Sequence, residues 1–359
     1  MRVMSAPPPR PLRVGLLGYG LAGRVFHAPL IRACPGLALA AVVTRDPERR
    51  AALAAACPEA AALETPDELW ARAAELDLVV VATPNRSHAP LARAALTAGL
   101  PVVIDKPIAP SAAEARELSA LARARGLLCT VFQNRRWDGD FLTVRKLLAE
   151  DALGPVRRFE SRFERFSPTP RPGWRESGDP AEAGGQLYDL GAHLIDQALQ
   201  LFGPARAVYA ELDRRRPGVA VDDDAFVALI HASGTRSHLW MSKVAAQRGP
   251  RFRVLGERAA FTKHGLDGQE PTLAVGGVPG SPGWGEEPPE RWGQLGEDGA
   301  ARPVATEPGA YLRFYEAVAA ALRAGGPPPV DPEDAAAALD VIEAARASAE
   351  RGQVIELRG

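Results

Sequence analysis

The chain has 359 residues, 46% hydrophobic and 24% charged, with a formal net charge of −1. That length suits two domains with separate cores, and the balanced charge excludes a general attraction to nucleic acid or to an anionic membrane. Three widely spaced cysteines, Cys34, Cys57 and Cys129, exclude a disulfide framework and a sequence-local zinc site and fit a reducing cytoplasm.

The start, MRVMSAPPPRP, lacks the apolar centre of a secretory signal and is expected to be a flexible leader over residues 1–11. No apolar run reaches the roughly eighteen residues of a membrane span. From residue 12 to 132, apolar strands alternate with helical stretches. The strands are Leu12–Leu17, Leu37–Val43, Leu78–Ala82, Val102–Ile104 and Leu127–Phe132. Between them lie helices over Ala22–Ala33, Pro47–Ala56, Pro66–Ala74, Ala89–Ala98 and Ala112–Arg125. Continuous apolar strands separated by helices predict a doubly wound parallel sheet.

The rhythm changes after residue 132. A helix is expected over Phe141–Ala149, and VRRFESRF (Val156–Phe163) alternates like a half-exposed strand. Further strands are expected at Ala205–Leu212, Ala225–Ala232, Ser237–Ser242 and Phe252–Leu255, with a helix over Asp189–Phe202. Strands in succession predict a mainly antiparallel sheet with helices, an α+β unit over residues 133–330. Residues 267–310, rich in Gly and Pro, read as an extended excursion or mobile loop. Residues 331–359 supply a closing helix, Pro332–Glu350, started by VDPEDA and stopped at Gly352, then a strand returning toward the domain interface.

Four constellations carry chemistry. GYGLAG, Gly18-Tyr19-Gly20-Leu21-Ala22-Gly23, follows the first strand with the spacing of a dinucleotide cradle. Gly18 permits the tight turn, Gly20 lets backbone approach a pyrophosphate, and Gly23 lets the helix pack on the strand. The second strand ends in Thr44-Arg45-Asp46, where an NAD site commonly has an acid. A hydroxyl and a guanidinium suit the 2′-phosphate of NADP, with NAD also accommodated. Asp46 argues the other way if the register shifts by one, or it simply caps the next helix. Arg49 or Arg50 could help hold a phosphate.

The third constellation is Asp105-Lys106-Pro107, at the carboxyl end of a predicted parallel strand, where ligands bind such sheets. The fourth runs GGQLYDLGAH from Gly184 to His193. Its Asp189 and His193 stand four apart at a helix start and so share a face. A carboxylate beside an imidazole fixes its tautomer and raises its basicity, which suits a general base; an Asp cap beside an unrelated histidine explains the spacing equally well.

These stretches, with ATPNRSHAPLARAAL (82–96) and FQNRRWDGDFLTV (132–144), resemble the Gfo/Idh/MocA oxidoreductases over nearly the whole chain. FHAPL and QNRRWDGDF resemble the branch of NADP-dependent scyllo-inositol dehydrogenases. The resemblance implies a Rossmann domain joined to an open-faced, mostly antiparallel sheet that often serves oligomer contacts, hence a homodimer or homotetramer. It matches Lys106 to the family's EKP lysine, with Asp105 in place of the usual glutamate, and Asp189 and His193 to its D-x-x-x-H pair. It also sets Thr83, Pro84, Asn85 and His88 along the cofactor, although His88 reads equally as a helix-start residue. The implied activity is hydride transfer between NADP(H) and a secondary alcohol or carbonyl of a polyol or sugar, without a metal. Lys106, Asp189 and His193 would be catalytic. Arg135, Trp137, Asp138, Trp174 and Arg175 are candidates for the substrate wall, with both tryptophans also readable as core. A redox-neutral glycosidase with retained cofactor and a non-catalytic NADP-binding sensor are the other readings; the intact proton-transfer set speaks against the sensor.

Overall fold

The computed structural model describes residues 10–171 and 173–357. Most of the expected leader, residues 1–9, lies outside them; Arg10, next in line, pairs with Asp77 at 2.7 Å. The first sheet has six strands, all parallel: β1 (Leu12–Leu17), β2 (Leu37–Val43), β3 (Ala61–Leu63), β4 (Leu78–Val81), β5 (Val102–Asp105) and β6 (Cys129–Phe132). Their order is β3-β2-β1-β4-β5-β6. The strands are added outward on one side of β1 and then, from β4, on the other, so a crevice opens beyond the carboxyl ends of those two strands. Strand β4, LVVV, is wholly buried, as a central strand covered on both faces requires. Strand β3 goes unnoticed in the sequence because three residues, AAL, carry no periodicity.

Helices α1 (Ala28–Ala33), α2 (Pro47–Ala56), α3 (Pro66–Trp70), α4 (His88–Thr97) and α5 (Ala112–Arg125) cover this sheet. The chain reaches α1 through wide π turns over Ala22–His27. Asp46, in extended backbone, accepts a hydrogen bond from the Arg49 N–H and caps α2. Ser111 caps α5 in the same way through the Glu114 N–H.

Helix α6 (Gly139–Ala149) leads into the second sheet of nine strands. They are β7 (Val156–Glu164), β8 (Ala205–Asp213), β9 (Asp224–His231), β10 (Arg236–Ser242), β11 (Phe252–Gly256), β12 (Ala260–Lys263), β13 (Gly293–Gly296), β14 (Arg302–Val304) and β15 (Ile355–Glu356). All neighbours are antiparallel except β7 and β10. One face packs on α7 (Ala192–Phe202) and on α10 (Pro332–Arg351), and among the described residues no helix covers the other. Residues 267–310 are more ordered than their composition suggests. They contain α8 (Gln269–Ala274), and β13 and β14 extend the sheet edge. Helix α9 (Leu312–Ala324), unread in the sequence, packs its buried Phe314, Tyr315 and Val318 near α1.

The two sheets share no strand, so side chains tie them together. Helix α10 lies against α5 of the first unit and β8 of the second. Arg136, just after β6, is buried and forks onto Asp196 of α7, with nitrogen–oxygen distances of 2.9 and 2.6 Å, and onto Asp334 of α10 at 3.0 Å. Removing one partner of such a pair strands the other charge in a dry interior. Arg136→Met is therefore expected to lower unfolding stability by about 3–5 kcal/mol, measured by urea denaturation, whereas the exposed Arg93→Met should change it by less than about 1 kcal/mol.

Candidate active site

Gly18 and Gly23 carry the turn and the close packing expected of them. Gly18 has φ +98°, and a side chain there would meet the Ala82 carbonyl at 2.5 Å. A Cβ on Gly23 would overlap the Gly18 carbonyl, so this glycine sets the helix against the strand. Gly20 is different: the nearest atom to an added Cβ is Arg49 Nη1 at 3.8 Å, so its backbone faces open space. That space is a cavity of about 960 Å³ running along the carboxyl edge of the first sheet.

Gly18, Tyr19, Gly20, Leu21 and Ala22 form one wall of this cavity. Thr44, Arg45 and Arg49 stand at one end, and Thr83, Pro84, Asn85, Asp105 and Lys106 run along the other side. The guanidinium of Arg45 is exposed there, while Asp46 is engaged as the α2 cap. Asn85 is buried and donates to the carbonyls of Glu182 and Ala183 at 3.0 and 3.3 Å, holding the turn against the second unit. His88 does not reach the cavity. It is buried with Nδ1 2.7 Å from the Pro107 carbonyl and Nε2 2.8 Å from that of Thr83, so it joins two turns. The expectation of cofactor contact for His88 gives way to a structural post.

A second cavity, of about 700 Å³, adjoins the first. Leu21, Ala22, Asp105, Lys106, Trp174 and Arg175 border both. Lys106 extends from the end of β5, and His193 comes from the first turn of α7; they reach the same space from opposite units. The Lys106 ammonium donates to the Asp189 carboxylate at 3.0 Å and to the Asp189 carbonyl. Arg175 Nε lies 3.4 Å from the same carboxylate. Burial alone would raise the Asp189 pKa, but Lys106 and Arg175 outweigh it and hold the carboxyl ionised far below the usual range.

The expected Asp189–His193 partnership is not the one formed. The chain enters α7 through a π turn over Leu187–Gly191, and the Asp189 side chain turns to Lys106. The partner of His193 Nδ1 is Gln133 Oε1, at 3.1 Å, from the end of β6. Gln133 lies inside the QNRRW stretch, but a neutral amide gives no charge pattern to single it out. Nor is the imidazole more basic than usual. Burial lowers its pKa well below 6.5, Lys106 and Arg135 lower it further, and Asp189 opposes them only in part. With the Nδ1 proton donated to Gln133, Nε2 carries the free lone pair. Among the described residues it makes no hydrogen bond.

Of the other candidates, Arg135, Trp174 and Arg175 line the second cavity; Trp137 and Asp138 do not. Residues 134–137 form a 3₁₀ turn, so neighbours point about 120° apart and only part of the stretch faces the site. Trp137 packs edge-on against Phe314, and the buried Asp138 accepts from the Tyr311 hydroxyl at 2.6 Å. Arg135 bonds the same hydroxyl at 2.8 Å and pairs with Glu270.

A family model described as the NAD-binding Rossmann fold of an oxidoreductase family matches residues 12–133, and that family's C-terminal alpha/beta domain matches residues 145–357. The chain is 41% identical to the uncharacterized oxidoreductase YdgJ of Escherichia coli, over 92% of its own length and 94% of that protein's. It is 34% identical to the scyllo-inositol 2-dehydrogenase (NADP(+)) IolW of Bacillus subtilis, with 96% of each covered. The structure of oxidoreductase yvaA from Bacillus subtilis superimposes with a TM-score of 0.91 at 33% identity, covering 97% of this chain and 98% of that one. With both halves matched and the glycine turn intact, this chain belongs to the Gfo/Idh/MocA oxidoreductase family, as an NAD(P)-dependent dehydrogenase.

Proposed function

We propose that the chain is an NADP(H)-preferring dehydrogenase that interconverts a secondary alcohol and a carbonyl on a polyol or sugar of the inositol kind. The observation that carries this reading is the junction of the two cavities, where Lys106 and His193 face one space beside the glycine turn. Residues 12–132 would hold the cofactor, and residues 133–330 the substrate. Residues 331–359 would clasp the two, as α10 already touches both sheets' layers. When bound, the nicotinamide supplies the hydride chemistry.

The protein's own part is proton transfer and orientation. In the oxidative direction His193 Nε2 accepts the hydroxyl proton, and the Gln133 amide holds the ring in that tautomer. Lys106 donates a hydrogen bond to the same substrate oxygen and stabilises its developing negative charge. Asp189, 3.0 Å away, holds the ammonium aimed at that point. In the reductive direction the protonated His193 returns the proton. Trp174 and Arg175, bordering both cavities, would close the wall between cofactor and substrate. Arg45 and Arg49 support the choice of NADP, since both guanidiniums stand where the adenosine ribose would end. IolW, named as NADP-dependent and acting on scyllo-inositol, supports both the cofactor and the substrate class.

The open face of the second sheet is proposed as the contact between copies. It carries half-buried Phe226 and Trp240 with ring centroids 5.1 Å apart, and the Arg162 guanidinium 3.9 Å above the Trp240 ring.

A panel of inositols and aldoses with NADP⁺, followed by nicotinamide absorbance, tests the reading as a whole. Lys106→Ala and His193→Ala should each lower kcat by about 10²–10⁴-fold; near-normal turnover in both would remove the proton-transfer assignment. Because the His193 pKa is depressed, its neutral, base-competent form should persist on acidification. The acid limb of kcat/KM for oxidation should therefore fall below pH 6.5. Arg45→Asp should shift the NADP⁺/NAD⁺ ratio of kcat/KM toward NAD⁺ by about tenfold or more, and an unchanged ratio would show that Arg45 does not meet the 2′-phosphate. Trp240→Glu should lower the molecular mass seen by light scattering to that of a smaller assembly.

A further inference from the structure

The walls of the second cavity carry more positive charge than the proton-transfer chemistry uses. Several cations there are matched. Arg135 pairs with Glu270, while Arg216 and Lys243 both reach Glu176 at 2.9 and 2.6 Å. Others are not. Lys106 and Arg175 divide the single carboxylate of Asp189 between them. Arg165 and Arg171, on the segment that follows β7, line the same cavity and form no ion pair among the described residues. The remaining carboxylate on the wall, Asp105, accepts from its neighbour's backbone N–H at 2.9 Å and lies where the cavity meets the cofactor space.

This excess is local. The chain as a whole has a net charge of −1, so a basic composition does not explain it. Arg165 is also placed rather than loose: its backbone N–H donates to the Ser242 carbonyl at 2.9 Å, and its guanidinium lies 5.3 Å from the Phe163 ring centroid. A neutral polyol offers hydroxyls, which Lys106 and His193 are already set to read. It offers nothing that needs two further guanidiniums, whose planar forks match carboxylates and phosphates.

We propose that Arg165 and Arg171 form an anion subsite in the substrate cavity, so that the preferred substrate is a sugar or polyol bearing a carboxylate or a phosphate. The anionic group would lie at the mouth, against these two guanidiniums, while the reacting carbinol carbon sits between Lys106 and His193. The inference rests on the dehydrogenase reading for where the sugar sits, but it can fail separately.

The test compares D-glucuronate and D-glucose 6-phosphate with D-glucose and an inositol, by calorimetric binding to the NADP⁺-loaded protein and by kcat/KM. At least one charged sugar should exceed its neutral counterpart by about tenfold or more in both measures, and the two charged arms distinguish a carboxylate from a phosphate. The charged-to-neutral ratio should fall by about tenfold in the Arg165→Gln/Arg171→Gln double variant. In the unaltered protein it should fall as salt rises from about 50 to 500 mM; that arm needs no substitution. Turnover of neutral polyols with no charged-sugar preference overturns the subsite and leaves the dehydrogenase reading standing. Charged sugars that bind more tightly than neutral ones, with no sugar or polyol of the panel oxidised or reduced, keep the anion subsite and overturn that reading. Charged sugars that bind without turnover, beside neutral polyols that do turn over, overturn the charged substrate. Failure of both charged sugars to bind, or a ratio unmoved by salt and by the double variant, also overturns the subsite.

Discussion

The contact between the Lys106 ammonium and Asp189 spans two sheets that share no strand. Lys106 is delivered by the end of a parallel strand, and Asp189 by a wide turn in the antiparallel unit. The distance between them is set by neither sheet alone. It follows from the seam: Arg136 forked onto Asp196 and Asp334, Asn85 fixed to the 182–183 backbone, and α10 laid across both layers. The Arg136 and Asn85 contacts are buried or half-buried polar ties that must be satisfied in one geometry, and the largely apolar packing of α10 is held in register by them. A seam held by greasy surfaces alone could slide by an ångström without penalty; one held by matched charges cannot.

The same seam sets the protonation of the site. Asp189 is surrounded by Lys106 and Arg175 and stays ionised, whereas His193, buried near Lys106 and Arg135, stays neutral. Two titratable groups four residues apart are thus held one ionised and one neutral by what faces them from elsewhere in the chain. Gln133 contributes an uncharged acceptor, which orients the imidazole without pulling a proton onto it.

Much of this was legible in the sequence, and the boundary falls along physical lines. Buried parallel strands such as LVVV announce themselves, and a glycine needed for positive φ or close packing has no substitute, so Gly18 and Gly23 could be read correctly. Lys106 was legible because the end of a parallel strand is a privileged place. Partnerships were not. That Asp189 turns to Lys106, and that Gln133 rather than a carboxylate meets His193, depends on a π turn and on register between distant elements. His88 and Asp138 are polar residues in well-marked motifs, yet both serve internal ties, a difference of side-chain direction that spacing does not encode. Helix α9 hid behind the Gly/Pro-rich stretch, whose composition masks strands made of edge pairing rather than apolar runs.

Helix α10 also bears on the order in which the molecule can assemble. It is made after β1 to β14, yet it lies on α5, and its Asp334 meets Arg136 just past the last parallel strand. While the chain is still being synthesised, the α5 surface has no cover and the Arg136 guanidinium lacks its α10 carboxylate. The nascent first half can form its parallel sheet, but it emerges with one flank unfinished. Completion waits for residues 332–351, which places the commitment to a closed site after β1 to β14 have been made rather than midway.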